Sequence, residues 1–267
     1  MASDTSSDQT AKTGKRCRYL PVAFSACVWL YTVMVLGVWL VIRFAGDRWW
    51  FATVLLFAPR WIHGLPLIVL GPFALVRPRC WLWSLVASAV VVAGPIMGCC
   101  FPWARWLPGH GPAMRLLTCN IDGTLANEDL EALLLESGAD VVALQEYDSD
   151  VQLRWPEGWQ VRRVGELLLA SRFPIQHTEV SFRRRPPTHW PPVNGLYCLG
   201  KYTNAFSSTG FGWGYTKHTP VFAGGEYGLR IDHILCDAAW RPGRCWVGPE
   251  VGSDHSPLFA TLEWKGP

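Results

Sequence analysis

Two acid-histidine pairs stand near the C-terminus, one in Arg230-Ile231-Asp232-His233-Ile234-Leu235 and one in Gly252-Ser253-Asp254-His255-Ser256-Pro257. Both fall at the ends of expected strands. A carboxylate at a strand end can hold a hard cation or orient a histidine, and a second Asp-His pair can stabilise charge that develops on phosphorus oxygens. The chemistry this arrangement suits is hydrolysis of a phosphate ester on a divalent metal. Other residue groups carry less. Gly210-Phe211-Gly212-Trp213-Gly214-Tyr215 lacks the helix and the Lys-Ser/Thr pair of a phosphate-cradling loop, and reads as an aromatic-packed loop near the rim. Arg183-Arg184-Arg185 runs into Pro186-Pro187 and reads as solvated loop, while His177, His189 and His218 have no partner at a recognisable spacing.

The elements that would position such a site begin after the Pro/Gly linker Pro108-Gly109-His110-Gly111-Pro112. Met114 to Cys119 reads as a strand ending at Asn120. Asn127 can cap a helix with Glu128 and Asp129 in its first turn, Leu130, Leu133 and Leu134 on its apolar face, and Gly138 at its stop. Asp140 to Gln145 is a buried strand that delivers Glu146 at its end. Asn120 and Glu146 therefore leave strands of the same polarity on one rim.

The first hundred residues have another character. The chain of 267 residues is 50% hydrophobic and only 17% charged, with 16 Trp and a mean hydropathy of +0.14, more apolar than a soluble protein of this size. From Leu20 to Ile42 there is no charge, enough chain to cross a hydrocarbon core of about 30 Å. Cys80 to Phe101 is a second such run, and it ends in Phe101-Pro102-Trp103-Ala104-Arg105-Trp106, aromatic residues beside a charge as at a membrane interface. Between them, Trp49 to Val76 is interrupted by Pro59-Arg60, His63, Pro66 and Pro72. Arg60 belongs near one interface, with Trp61 to Val76 crossing or, as the alternative, re-entering.

The basic residues Lys12, Lys15, Arg16 and Arg18 of the tail and Arg77 and Arg79 of the second connection set the orientation. With three spans, both lie on the cytoplasmic side of a plasma or inner membrane and everything after Trp103 lies outside. A re-entrant middle segment would instead put the C-terminal domain in the cytoplasm. The expected organisation is a cytoplasmic tail (1–19), a membrane region of about three transmembrane helices (20–106), a linker (107–113) and an α/β domain (114–267). A net charge of +3 gives no argument for nucleic acid. The nine cysteines include no CxxC pair and no zinc spacing. Cys236 and Cys245 flank a segment that reads as a hairpin connection containing Pro242-Gly243, so they are either a disulfide or two unpaired strand cysteines.

Five segments, in order, carry a resemblance: Leu117-Thr118-Cys119-Asn120-Ile121, Val141-Val142-Ala143-Leu144-Gln145-Glu146, Leu167-Leu168-Leu169-Ala170-Ser171-Arg172-Phe173-Pro174-Ile175, Arg230-Ile231-Asp232-His233-Ile234 and Gly252-Ser253-Asp254-His255-Ser256-Pro257. Together they resemble the motifs of the endonuclease/exonuclease/phosphatase superfamily, the deoxyribonuclease-I-like fold, over most of Met114 to Trp264. The resemblance implies a four-layer α/β sandwich with two packed sheets. It implies that Asn120 and Glu146 position a catalytic Mg²⁺, with Mn²⁺ as the alternative ion and Glu146 as a direct ligand. Asp254 would support His255 against the scissile phosphate, and Asp232 would orient or link to the metal. The implied substrate is a phosphate ester, whether of nucleic acid, phospholipid or sugar phosphate, and the apolar segment makes the lipid bilayer a partner.

The chain departs from the pattern in the middle. Family members place an Asn-x-His motif and then a Gly-Asp-x-Asn motif between segments like Phe173 and Tyr202-Thr203-Asn204-Ala205-Phe206. Here that interval is Gln176 to Lys201, with no Gly-Asp-x-Asn and a Pro-rich stretch from Arg185 to Val193. The domain is thus shortened relative to the roughly 200–250 residues common for such sandwiches. Three readings follow: a membrane-anchored metal-dependent phosphoesterase using a substitute base such as Asp122 or Asp150, a catalytically inactive relative that binds a ligand or partner, or an internally deleted form of a complete enzyme. An intact mass well above 29.9 kDa would establish the last.

Overall fold

The computed structural model describes residues 6–45, 49–76, 79–107, 109, 111–122, 127–148, 153–178, 202–221 and 225–266. The chain divides into two compact units, Met1–Gly98 and Cys99–Pro267. Residues 99–106, grouped with the apolar region on sequence alone, pack within the second unit.

The first unit is helical: α1 (Ser6–Ala45), α2 (Trp50–Phe57), α3 (Leu65–Leu75) entered through a 3₁₀ turn at Arg60–Gly64, and α4 (Arg79–Val91) continuing as a π turn, Val92–Ile96. Among the described residues one helix is long and apolar enough to cross a membrane, over Val22–Ala45, with a mean hydropathy of 2.1. The apolar stretches Arg60–Leu75 and Trp81–Ile96 are shorter than the roughly 20 residues a spanning helix needs. Val28, Tyr31 and Val35 of α1 pack with Ala74, Leu85, Val92 and Ile96. Inside this cluster the polar groups satisfy one another. Thr32 Oγ1 lies 2.9 Å from Ser84 Oγ, and the Ser88 hydroxyl donates to the Ser84 carbonyl at 2.9 Å. Arg60, the charge that interrupts the middle run, donates from Nη1 to the Ile96 carbonyl at 3.1 Å. Outward lie Trp29, Leu30, Phe44, Ile68, Val69 and Phe73, all exposed, an apolar surface far beyond that of a soluble domain.

The second unit is built on a six-stranded mixed sheet. Its strands are β1 (Ala113–Asn120), β2 (Val141–Gln145), β3 (Gln160–Val164), β4 (Leu167–Ser171), β9 (Trp240–Val247) and β10 (Leu258–Trp264), in the order β3-β4-β2-β1-β10-β9. β1 and β2 are parallel and every other pair is antiparallel. The crossover between β1 and β2 carries α5 (Asn127–Ser137), which begins at Asn127 itself and is stopped by Gly138 at φ +55°, a conformation that costs an L residue about 1–2 kcal/mol. Strand alternation sorts the side chains onto two faces. Leu117, Cys119, Val142, Leu144 and Phe259 meet Leu130 and Leu133 of α5 on one face.

On the other face Leu258, Ala260, Leu262 and Cys245 meet Phe206, Ile234 and Cys236. Phe206 comes from α6 (Ala205–Thr209), Ile234 directly precedes β8 (Leu235–Cys236), and β8, which holds Cys236, pairs with β5 (Thr203–Asn204). A second ribbon joins β6 (Lys217–Val221) to β7 (Gly225–Leu229). The α/β class is as expected, and among the described residues the strands outside the six-stranded sheet form these two separate two-stranded ribbons.

One local expectation is corrected. Pro242 and Gly243 lie within β9, where the pairing shifts between Thr261 and Leu262, and the chain turns earlier, at 237–239. Proline is tolerated there because β9 is an edge strand and the register shift removes the need for its N–H. Cys236 and Cys245 are both buried and both free thiols.

Candidate active site

The parallel pairing of β1 with β2 sets Asn120 opposite Gln145, so Asn120 and Glu146 emerge at the same strand ends. The Ile121 N–H donates to the Gln145 carbonyl at 3.0 Å and closes the pair. The Asn120 side-chain amide then donates to Glu146 Oε1 at 2.7 Å, while its carbonyl oxygen accepts from the Asp122 N–H at 3.0 Å. Asn120 thus aims Glu146 and is itself held at both ends. Glu146 and Asp122 adopt φ of +53° and +48°, the two positive values of non-glycine residues among the described chain. Backbone strain of this kind collects where a site requires a side chain to be aimed.

The second half of the rim comes from the segment before β8 and the turn before β10. His255 Nδ1 lies 2.8 Å from Asp232 Oδ2, and both side chains are largely buried. Asp254 Oδ1 is 3.7 Å from His255 Nε2, outside hydrogen-bonding range, and its other oxygen pairs with Lys217 Nζ. The acid in hydrogen-bond contact with His255 is therefore Asp232, and Asp254, expected to support it, stands in a looser position near Nε2. Asp254 is drawn instead to Lys217, while Asp232, from the segment before β8, faces the imidazole.

Two residues that sequence reasoning passed over assemble these pieces. Thr216, fully buried, accepts at Oγ1 from the N–H groups of Ile231 and Asp232, at 3.3 and 3.1 Å, and its carbonyl accepts from the Ser256 N–H at 2.7 Å. Ser253 donates its hydroxyl to the Asn120 carbonyl at 2.8 Å and accepts from the His255 N–H at 3.1 Å. Ser253 thereby ties the Asn120–Glu146 half to the Asp232–His255 half. Its place inside the Gly-Ser-Asp-His motif was a usable signal; Thr216 had none. Lys217, missed too, brings a positive charge beside His255 through a backbone bridge to it.

His233 has a different role from its neighbour. Asn204 Oδ1 caps α6 by accepting from the Ser207 N–H at 2.9 Å, so its amide nitrogen faces His233 Nδ1 at 3.0 Å and must donate to it. Nδ1 is thereby an acceptor, and the ring is neutral with its proton on Nε2. Burial, reinforced by Arg230 and opposed by Asp232, lowers the His233 pKa from 6.5 to about 4. The unfolded chain then binds the extra proton first, so this contribution to stability is complete above pH 6.5 and is lost as pH falls toward 4. Urea midpoints should fall between pH 7 and pH 5 in the native chain, and this fall should be smaller in His233→Asn; an unchanged pH dependence in the variant would refute the assignment.

The donor set fits a sparse hard-cation site. Glu146 is an exposed, oriented carboxylate with no cation paired to it among the described residues, and Mg²⁺ binds through one or two carboxylates while keeping waters for exchange with phosphate oxygens. Among the described residues no three His, Cys, Asp or Glu side chains cluster as a full protein cage would require. The nearby thiol of Cys119 is pushed up to about 12, by burial first and by Asp232 second, so it is no thiolate ligand. Asp122 is exposed at the rim, two residues from Asn120. Asp150, Arg183 to Arg185 and His189, together with 179–201 of the shortened central interval, lie outside the described residues.

A search of curated proteins finds no match to this chain. A model of the Endonuclease/Exonuclease/phosphatase family matches residues 117–255, from the middle of β1 to the histidine of the rim and over half of the chain. With the Asn120–Glu146 and Asp232–His255 pairs at the two ends of that match, the chain belongs to the endonuclease/exonuclease/phosphatase family, a family of phosphoesterase-type hydrolases whose members usually use divalent metals.

Proposed function

We propose that this chain is a membrane-anchored, Mg²⁺-dependent phosphoesterase, with Mn²⁺ able to replace Mg²⁺. The observation that carries the reading is the Ser253 bridge, which joins an oriented carboxylate and an acid-supported histidine on one rim. Glu146 would hold the ion, kept in its rotamer by Asn120. When bound, Mg²⁺ supplies Lewis-acid polarisation of a phosphoryl oxygen. His255, fixed by Asp232 through Nδ1, has Nε2 left to meet a non-bridging oxygen, and Lys217 and Asp254 set the charge beside it. Water attack in line with the leaving group then benefits from donors already in place, since groups that need not reorganise stabilise the developing charge most. Helix α1 would anchor the enzyme in a plasma or inner membrane. Its basic N-terminal tail would stay in the cytoplasm, leaving the hydrolase domain on the extracytoplasmic side.

The full chain in detergent micelles should hydrolyse a generic aryl phosphodiester with Mg²⁺, stop on addition of EDTA, and resume with Mg²⁺ or Mn²⁺. Binding of Mn²⁺ without turnover would overturn the enzyme reading and favour an inactive, ligand-binding relative.

A further inference from the structure

Away from the rim, exposed aromatic side chains gather in one place on the second unit. Phe101, Trp103 and Trp106 are 55, 55 and 72% exposed, and Phe211 and Trp213 are 74 and 41% exposed. The two stretches are far apart in sequence. They are held together by a reciprocal backbone pair, with the Cys100 N–H donating to the Gly212 carbonyl at 2.7 Å and the Gly212 N–H to the Cys100 carbonyl at 3.0 Å. Gly212, between Phe211 and Trp213, sits at φ +80°, and Trp213 stacks on Tyr215 with ring centroids 6.2 Å apart. Arg230 fastens the underside, donating from Nη1 to Cys100 Sγ at 3.0 Å and to the Trp213 carbonyl at 3.3 Å. Arg105 and Phe211 also line a cleft of about 330 Å³ whose walls include Phe206 and Trp246.

A soluble domain rarely leaves so many large aromatics together in water. Trp beside Arg is instead the composition of a membrane-water boundary, where the ring is buried among headgroups and the cation meets anionic lipid. The occupant is indicated by chain continuity: Phe101 follows within a few residues of Ile96, the last residue of an apolar helix. We propose that 101–106 and 211–213 form one bipartite surface that docks the hydrolase domain onto anionic phospholipid headgroups. This extends the reading that α1 anchors the chain, because a segment internal to the hydrolase domain then touches the bilayer as well. The domain is held in one orientation, and phosphate esters at headgroup depth become its accessible substrates.

The test uses the full chain in phosphatidylcholine vesicles containing phosphatidylglycerol and a phospholipid photoactivatable near its headgroup, with adducts mapped by peptide mass spectrometry. Adducts should appear on peptides carrying 101–106 and 211–213 as well as on the apolar helices, and the 211–213 adducts should fall several-fold in a Phe211→Glu/Trp213→Glu variant. The peptide covering 160–171 should stay unlabelled. Adducts confined to 22–96 would overturn the docking surface and leave the membrane anchor standing. A chain that carries no adducts and is stripped from the vesicles by alkaline carbonate would overturn both. Chemical cross-links joining the 211–213 peptide to a second copy of the chain, in place of lipid adducts, would assign the patch to self-association and overturn the proposal.

Discussion

Replacing His255 with alanine should lower phosphodiester turnover by about 10²–10⁴-fold while leaving divalent-ion affinity intact. The imidazole acts on phosphate oxygens and does not belong to the carboxylate that would hold the ion. Because the ring is 5% exposed, His255→Asn should be measured beside the alanine variant, with circular dichroism confirming that both are folded. The geometry makes a sharper prediction about the two aspartates. Asp232 contacts the ring at 2.8 Å, whereas Asp254 stands 3.7 Å away and is engaged by Lys217. Asp232→Asn should therefore approach the loss seen at His255, and Asp254→Asn should cost clearly less. An Asp254 variant as damaged as His255→Ala, with Asp232→Asn near normal, would refute the pairing.

Glu146→Gln should remove most of the ion affinity and, with it, most activity at low Mg²⁺. Glutamine has nearly the same shape and keeps an oxygen able to accept from the Asn120 amide at the 2.7 Å contact, so the change is one of charge. Asn120→Ala, which removes only the group that aims the carboxylate, should weaken the ion by about 10–100-fold, the usual effect of losing an outer partner of a ligand. Electron paramagnetic resonance of Mn²⁺ titrated into the full chain reads both effects without any turnover. Unchanged Mn²⁺ binding in Glu146→Gln would place the ion on other residues.

Much of the domain was legible from local pattern. The strand to Asn120, the helix with Leu130 and Leu133 inward, the glycine stop and the strand to Glu146 all follow from side-chain periodicity and end signals, and the structure contains them in that order. The connection around Cys236 and Cys245 was misread because Pro-Gly is the signature of a turn, and sequence does not reveal that an edge strand with a register shift will absorb it. Arg60 looked like an obstacle in an apolar run. Its partner, the Ile96 carbonyl, is a backbone atom 36 residues away and leaves no mark in the side-chain pattern.

Residue types and their order indicated by themselves the α/β class and, through motif resemblance, the family. Asn120 and Glu146 were legible as rim residues because each ends a hydrophobic run that leaves the sheet at one edge, whereas Asp232, Asp254 and His255, in loops before β8 and β10, were legible only through that resemblance. Tertiary structure decided which acid serves which base. Asp232 reaches His255, Asp254 turns to Lys217, and buried Thr216 and Ser253 stitch the two halves together. Hydrogen bonds of about 3 Å depend on how separate segments are brought together, and that meeting is set by packing on both faces of the sheet, a property that no local segment of the sequence carries.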